Sequence, residues 1–246
     1  MKKTLLVALS LVLAPATMAL AANPNVAEKK AGIEAKGYVW NSQEGGEKIE
    51  ALKLKGDVTR GKDAFEVCSA CHLPSGAGRP DGTFPQLAGQ HATVIIKQIA
   101  DIRAGLRDNP TMYPFAITLS DAQELADVAA YIQTLCIPRD HGQGSNDPVL
   151  LKHGEELYKK ECTTCHGPTG AGDKAKFYPV LAGQHYKYLL RQVTDIRDGK
   201  RRNANPDMVK IVKKYNNHDL DSVVTYMATL EMPGTLCPVK KGGKKR

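Results

Sequence analysis

Two five-residue stretches carry the chemistry of this chain: Cys68-Ser69-Ala70-Cys71-His72 and Cys162-Thr163-Thr164-Cys165-His166, 94 positions apart. In each, two thiols three residues apart match the two vinyl groups of one haem, and the histidine that follows is placed to bind its iron. A bare Cys-x-x-Cys also suits a redox dithiol or half of a zinc site. The adjoining histidine, repeated in register, argues against both. Two covalently bound haem c groups are therefore the expected cofactors. Cys68, Cys71, Cys162 and Cys165 are the attachment residues, and His72 and His166 the proximal ligands.

What binds the opposite face of each iron decides between electron transfer and substrate chemistry. A methionine sulfur closes the coordination sphere and raises the potential, because soft sulfur favours ferrous iron; an open face suits ligand binding or peroxide chemistry. Beyond the first 21 residues, the first unit holds one methionine, Met112, in Asn109-Pro110-Thr111-Met112. In the second unit Met208 occupies the equivalent loop, Asn205-Pro206-Asp207-Met208, while Met227 falls in a helical stripe and Met232 lies beyond the last helix. Met112 and Met208 are the expected axial partners. Pro85 and Pro179 each follow the histidine by 13 residues, where a fixed carbonyl can accept the imidazole Nδ1–H and orient the ring.

The elements that must hold these groups are duplicated as well. Phe84-Pro85-Gln86-Leu87-Ala88-Gly89-Gln90-His91 returns as Tyr178-Pro179-Val180-Leu181-Ala182-Gly183-Gln184-His185, and the segment 97–105 returns at 191–199. Such spacing predicts two domains of one fold. Apolar periodicity predicts helices at 59–69, 90–105 and 119–135, opening at Ser120, and again at 150–163, 184–199 and 217–230, opening near Asn217. No β-type alternation stands out, so the fold class expected is all-α, with each domain wrapped round one haem. The expected division is a signal peptide at 1–21, an extension at 22–55, domain 1 at 56–137, a linker at 138–147, domain 2 at 148–237 and a basic tail at 238–246.

Lys2 and Lys3, the apolar run Leu5 to Leu13 and Ala19-Leu20-Ala21 have the layout of an export signal cleaved near Ala21, which points to the periplasm. Cys136 and Cys237 remain once the haem cysteines are assigned. In an oxidising compartment the pair reads as a disulfide between domains, with free thiols or an intermolecular bond as the alternatives. His91 and His185 recur in register but are expected at helix starts on the surface or near a propionate, with no role at iron. His141, His153 and His218 have no repeat partners and read as solvated. Arg103 and Arg197 recur and suit either a propionate or a solvated face. The extension is Lys/Glu-rich, with a short helix expected at Glu47 to Leu54; it reads as a loosely docked arm that Trp40 would attach to a domain.

Residues 56–147 hold 7 Lys+Arg against 11 Asp+Glu, and residues 148–246 hold 19 against 10. An acidic and a basic half make a dipole that orients the chain toward charged partners, an acidic redox protein or a membrane surface. Nucleic acid is not an expected partner of an exported haem protein.

The haem motifs, the paired Pro-x-Leu-Ala-Gly-Gln segments, the methionine loops and the closing Tyr-x-x-Thr-Leu helices together resemble the dihaem cytochrome c4 family, two class I cytochrome c domains in tandem. The resemblance covers roughly residues 56–232. It implies a periplasmic two-domain electron carrier, with His/Met ligation at both haems and domains that meet near the propionates. It also implies partners such as a terminal oxidase, a quinol-oxidising complex or a periplasmic dehydrogenase. The extension and the two extra cysteines depart from the family pattern and leave room for a second reading, a dedicated subunit of a sulfur-compound-oxidising enzyme. A dihaem peroxidase needs an open iron, which a methionine in both loops argues against.

Overall fold

A computed structural model describes residues 27–42, 45–232 and 234–238 of the chain. The expected signal peptide, the first residues of the extension and the basic tail beyond Pro238 lie outside these residues. Eleven α-helices and one π-helical turn are found among them, with two isolated β-bridges in place of strands. Among the described residues no helix is long and apolar enough to cross a membrane.

Domain 1 comprises α2 (Val58–Ala64), α3 (Glu66–His72), α4 (Ala92–Arg103), α5 (Tyr113–Ala116) and α6 (Ala122–Thr134), preceded by α1 (Gly46–Lys53) of the extension. Domain 2 repeats the set as α7 (Pro148–Leu157), a π turn (Tyr158–Cys162), α8 (Thr163–His166), α9 (Tyr186–Arg197), α10 (Pro206–Val212) and α11 (Asn217–Met227). The starts are set by side chains that satisfy the first free N–H groups. Asp57 caps α2, Asp147 caps α7 ahead of Pro148, and Asn216 with Asp219 forms a capping box on α11. Helix α6 is capped by Asp121 rather than the expected Ser120, whose own N–H is bound by Glu124.

In each domain the first and last helices cross at a glycine. A Cβ on Gly61 would lie 2.0 Å from the Asp127 carbonyl oxygen, and one on Gly154 would lie 1.9 Å from that of Ser222. Only a residue without a side chain lets the backbones approach so closely. Gly61 precedes its first haem cysteine by seven residues and Gly154 by eight. The π turn absorbs that extra residue, so both crossings present their cysteines alike.

The domains meet through reciprocal contacts. The Gln90 side chain bonds both N–H (2.9 Å) and C=O (3.0 Å) of Val180, while Gln184 bonds the same two groups of Gln86 at 3.0 and 2.8 Å. His91 reaches the Ala171 carbonyl and His185 that of Ala77, each at 2.8 Å. These histidines stand at the helix starts expected of them, as the N-caps of α4 and α9, but bridge the domains instead of lying free at the surface. Ile137, fully buried, wedges between Gly89 and Gly183 and is fastened by Ile137 N–H to Thr235 and Cys237 N–H to Ile137. Next to it Cys136 and Cys237 form a disulfide, with an S–S distance of 2.02 Å.

The arm is docked firmly, against expectation, and onto both domains. Lys30 N–H bonds the Gly105 carbonyl, Ile33 N–H bonds that of Arg202, and Arg202 in turn holds Asp108 at 2.9 Å. Trp40 stacks on Tyr178 of domain 2 at 6.0 Å, while Lys97 of domain 1 sits 5.1 Å above its ring. Burial pulls the Lys97 ammonium below its ordinary pKa, and Asp101 at 2.5 Å supports the charge.

Candidate haem sites

One continuous cavity of about 620 Å³ runs through both domains. It is lined on one side by Cys68, Cys71, His72 and Met112 and on the other by Cys162, Cys165, His166 and Met208. The structure thus brings all eight iron- and thioether-candidate residues to one space. Helix α3 delivers the first motif and the π turn with α8 the second, which puts both cysteines and the histidine of each motif at the cavity wall.

His72 Nδ1 lies 2.9 Å from the Pro85 carbonyl and His166 Nδ1 lies 3.1 Å from that of Pro179. With a carbonyl acceptor at Nδ1, the proton resides there and Nε2 keeps its lone pair for a metal. Burial lowers both imidazole pKa values, which keeps the rings neutral and ready to donate. Burial also pushes the Cys68 thiol up to about 11 and the Cys162 thiol up to about 12. Cys68, Cys71, Cys162 and Cys165 are all unbonded to one another.

The methionines do not sit on open loops. Met112 is the N-cap of α5, its N–H held by the Asn109 side chain and carbonyl at 3.1 Å each. Met208 is the third residue of α10, which Asn205 caps through the Asp207 N–H and Pro206 starts. The Asn-Pro sequences that looked like loop markers are helix-start signals of different reach. Met227 lines the cavity as a buried apolar wall, whereas Met232 does not reach it.

Between the two motif sets lies a polar cluster that sequence reading missed. Arg107 bonds Gln98 at 2.9 Å and Gln192 at 3.1 Å; Arg201 bonds Gln192 and Gln98 at 3.0 Å each. All four line the cavity, and among the described residues no carboxylate is a hydrogen-bond partner of either guanidinium. Burial, aided by the Arg107 charge, drops the Arg201 pKa to about 10. Two adjacent, half-buried cations facing a cavity call for anions from whatever fills it, and haem propionates meet that demand. The donor set, the apolar walls and these cations together fit two haems. The repeat offset held the clue, since Gln98 and Gln192, and Arg107 and Arg201, are each 94 residues apart.

Arg103 and Arg197, the arginines that sequence reading singled out, do not line the cavity. Arg103 binds the Ala116 and Leu119 carbonyls and Glu47, and Arg197 binds Asn217, the Tyr215 carbonyl and Asp198. Each ties its helix to the segment that leads into the last helix of its domain.

A cytochrome c domain model matches residues 58–136 and again 151–231. Cytochrome c4 of Azotobacter vinelandii is 35% identical over 194 residues, spanning 71% of this chain and 90% of that protein. The chain belongs to the cytochrome c4 family. In this family setting the crystal structure of reduced recombinant cytochrome c4 from Pseudomonas stutzeri superposes with a TM-score of 0.63 at 33% identity, covering 72% of this chain and all of that one. A protein of Stutzerimonas stutzeri named thiosulfate dehydrogenase electron acceptor is 34% identical over 175 residues, 68% of this chain and 80% of that protein. The chain is accordingly a dihaem cytochrome c, all-α and built of two like domains, and it is an electron carrier rather than an enzyme. It works with redox proteins as partners.

Proposed function

We propose that the chain is exported to the periplasm, loses its first 21 residues and carries electrons between respiratory or other redox partners. His72 with Met112 and His166 with Met208 would hold the irons of two haems, and the four motif cysteines would anchor them as thioethers. When bound, each haem supplies a one-electron ferric–ferrous couple. The protein's own residues do the rest. Pro85 and Pro179 hold the histidines neutral and aimed, the methionine sulfurs favour the reduced state, and Arg107 and Arg201 neutralise carboxylates between the two sites. With a histidine and a methionine held to each iron, the pair of sites would store or relay electrons rather than bind substrate. The observation that carries this reading is the convergence of both Cys-x-x-Cys-His sets, Met112 and Met208 on one cavity.

A more specific reading is that the donor is a periplasmic dehydrogenase acting on a sulfur compound. It is favoured by the likeness to the Stutzerimonas electron acceptor. The basic half, domain 2 with its tail, would be the face that meets an acidic partner or the membrane surface.

The test is a spectroscopic redox titration of the mature holoprotein, following the weak far-red band of methionine sulfur on ferric haem. Band intensity for two haems is expected, halved in Met112→Ala and in Met208→Ala. Each variant should lower one potential by a sizeable part of the roughly 0.8 V range that axial ligands span. A band worth one haem in the unmodified protein would defeat the two-carrier assignment.

A further inference from the structure

Outside the haem cavity, one cluster is left unexplained by electron transfer. His153 on α7 and His218 and Asp219 on α11 bring their donor atoms within 4.8 Å of one another, and none of the three lines the haem cavity. His153 Nε2 lies 2.8 Å from Asp219 Oδ1, and the two imidazole rings lie 5.4 Å apart, 31° from parallel. These histidines are thus gathered at a helix crossing, His218 exposed as the sequence suggested and His153 half-buried.

The two domains solve this crossing differently. In domain 1 the residue before the crossing glycine is Arg60, whose Nε and Nη2 bind Asp127 at 2.6 and 3.1 Å, so a permanent cation joins α2 to α6. In domain 2 the residue before the crossing glycine is His153, and the place of Asp127 is taken by Ser222, whose buried hydroxyl has no partner. The carboxylate has moved to Asp219, almost one turn earlier on α11, and a second imidazole stands beside it. A fixed cation has been exchanged for a set of ligands.

We propose that His153, His218 and Asp219 form a site for one divalent transition-metal ion of the zinc class, which clasps α7 to α11. Two imidazoles with one carboxylate is a borderline donor set that suits Zn²⁺, Cu²⁺ or Ni²⁺ and disfavours Mg²⁺ and Ca²⁺, which prefer all-oxygen shells. The carboxylate is already oriented, because Asp219 Oδ2 accepts the Asn216 N–H at 3.1 Å while Oδ1 faces His153. Ligand bonds of about 2.0–2.2 Å put tetrahedral donors roughly 3.3 Å apart. Exposed His218 can close that gap by rotating its side chain, and its exposure gives the ion its path in. Water would complete the shell.

Calorimetric titration of chelator-stripped, ferric holoprotein with Zn²⁺ at pH 7.5 tests this. One ion per chain is expected, with affinity weakened at least tenfold in His153→Gln and in His218→Gln. Zn²⁺ should also raise the thermal midpoint of the unmodified protein and leave that of His218→Gln unmoved. His218 is exposed, so its variant folds even if His153→Gln does not, and it decides the matter alone. Absence of binding, or equal affinity in His218→Gln, overturns the proposal.

Discussion

Removing the Cys136–Cys237 disulfide is the perturbation whose size the structure sets most directly. The bond joins residues 101 positions apart and thereby encloses the linker and domain 2. Chain-entropy theory gives about −2.1 − 1.5R ln n cal/mol/K for a closed loop, so n near 100 removes about 16 cal/mol/K from the unfolded chain, or about 4.7 kcal/mol at 25 °C. The folded state loses little, because Ile137 and the paired glutamine and histidine contacts hold the domains together without the bond. A urea slope of about 3 kcal/mol per M turns the loss into a midpoint drop of roughly 1.5 M. The assay is urea unfolding of holo Cys136→Ser/Cys237→Ser against the unmodified protein, read in parallel by far-UV circular dichroism and the Soret band. Unmodified protein kept in reductant should match the variant. A drop below about 0.3 M in both signals would refute the argument that the bond acts through the unfolded chain.

Replacing Arg107 or Arg201 by Gln removes a cation from between the haem sites and should lower the potentials. At roughly 10 Å and an effective dielectric near 20 the loss is about 1.7 kcal/mol, or about 70 mV, and an unchanged or raised potential in voltammetry would exclude this role. Arg202→Ala should free the arm and raise the emission of Trp40, the only tryptophan, which docked beside a haem is quenched. The Arg202 hydrogen bond holds the Asp108 carboxyl below its usual range, so its contribution is present above about pH 4 and is lost as pH falls through the lowered value. Acidification should accordingly brighten Trp40 in the unmodified protein and change Arg202→Ala less. Gly154→Ala drives a methyl against the Ser222 backbone and should cost about 3 kcal/mol or more in denaturant unfolding. Gly199→Ala, with φ +74° and open space around it, should cost about 1 kcal/mol. Equal effects at the two glycines would contradict the crossing geometry.

The haem groups were legible in the sequence because their chemistry demands fixed local spacing: Cys-x-x-Cys-His, then a proline carbonyl 13 residues on. Met112 and Met208 reach the cavity, as their place within the repeat suggested, but their helical setting was not legible, since Asn-Pro opens α10 at once while the same pair stands three residues ahead of α5. Contacts across the domains were illegible one residue at a time. His91, His185, Gln90 and Gln184 bond to backbone groups some 80 to 108 positions away, and a carbonyl leaves no mark on composition. The arm was misjudged for a related reason. Its polar run looked solvated, yet Lys30, Ile33 and Trp40 find partners supplied by both domains at once.

The reciprocal seam between the domains is the interface of a two-fold homodimer written into a single chain. Its glutamines grip the main chain of the opposite half, so the residue gripped is free to vary: Gln86 on one side corresponds to Val180 on the other, with the same pair of bonds at both. Docking is thereby insulated from divergence. Each haem pocket can drift in charge and polarity, as the acidic and basic halves have done, and acquire its own potential while the two irons keep their separation.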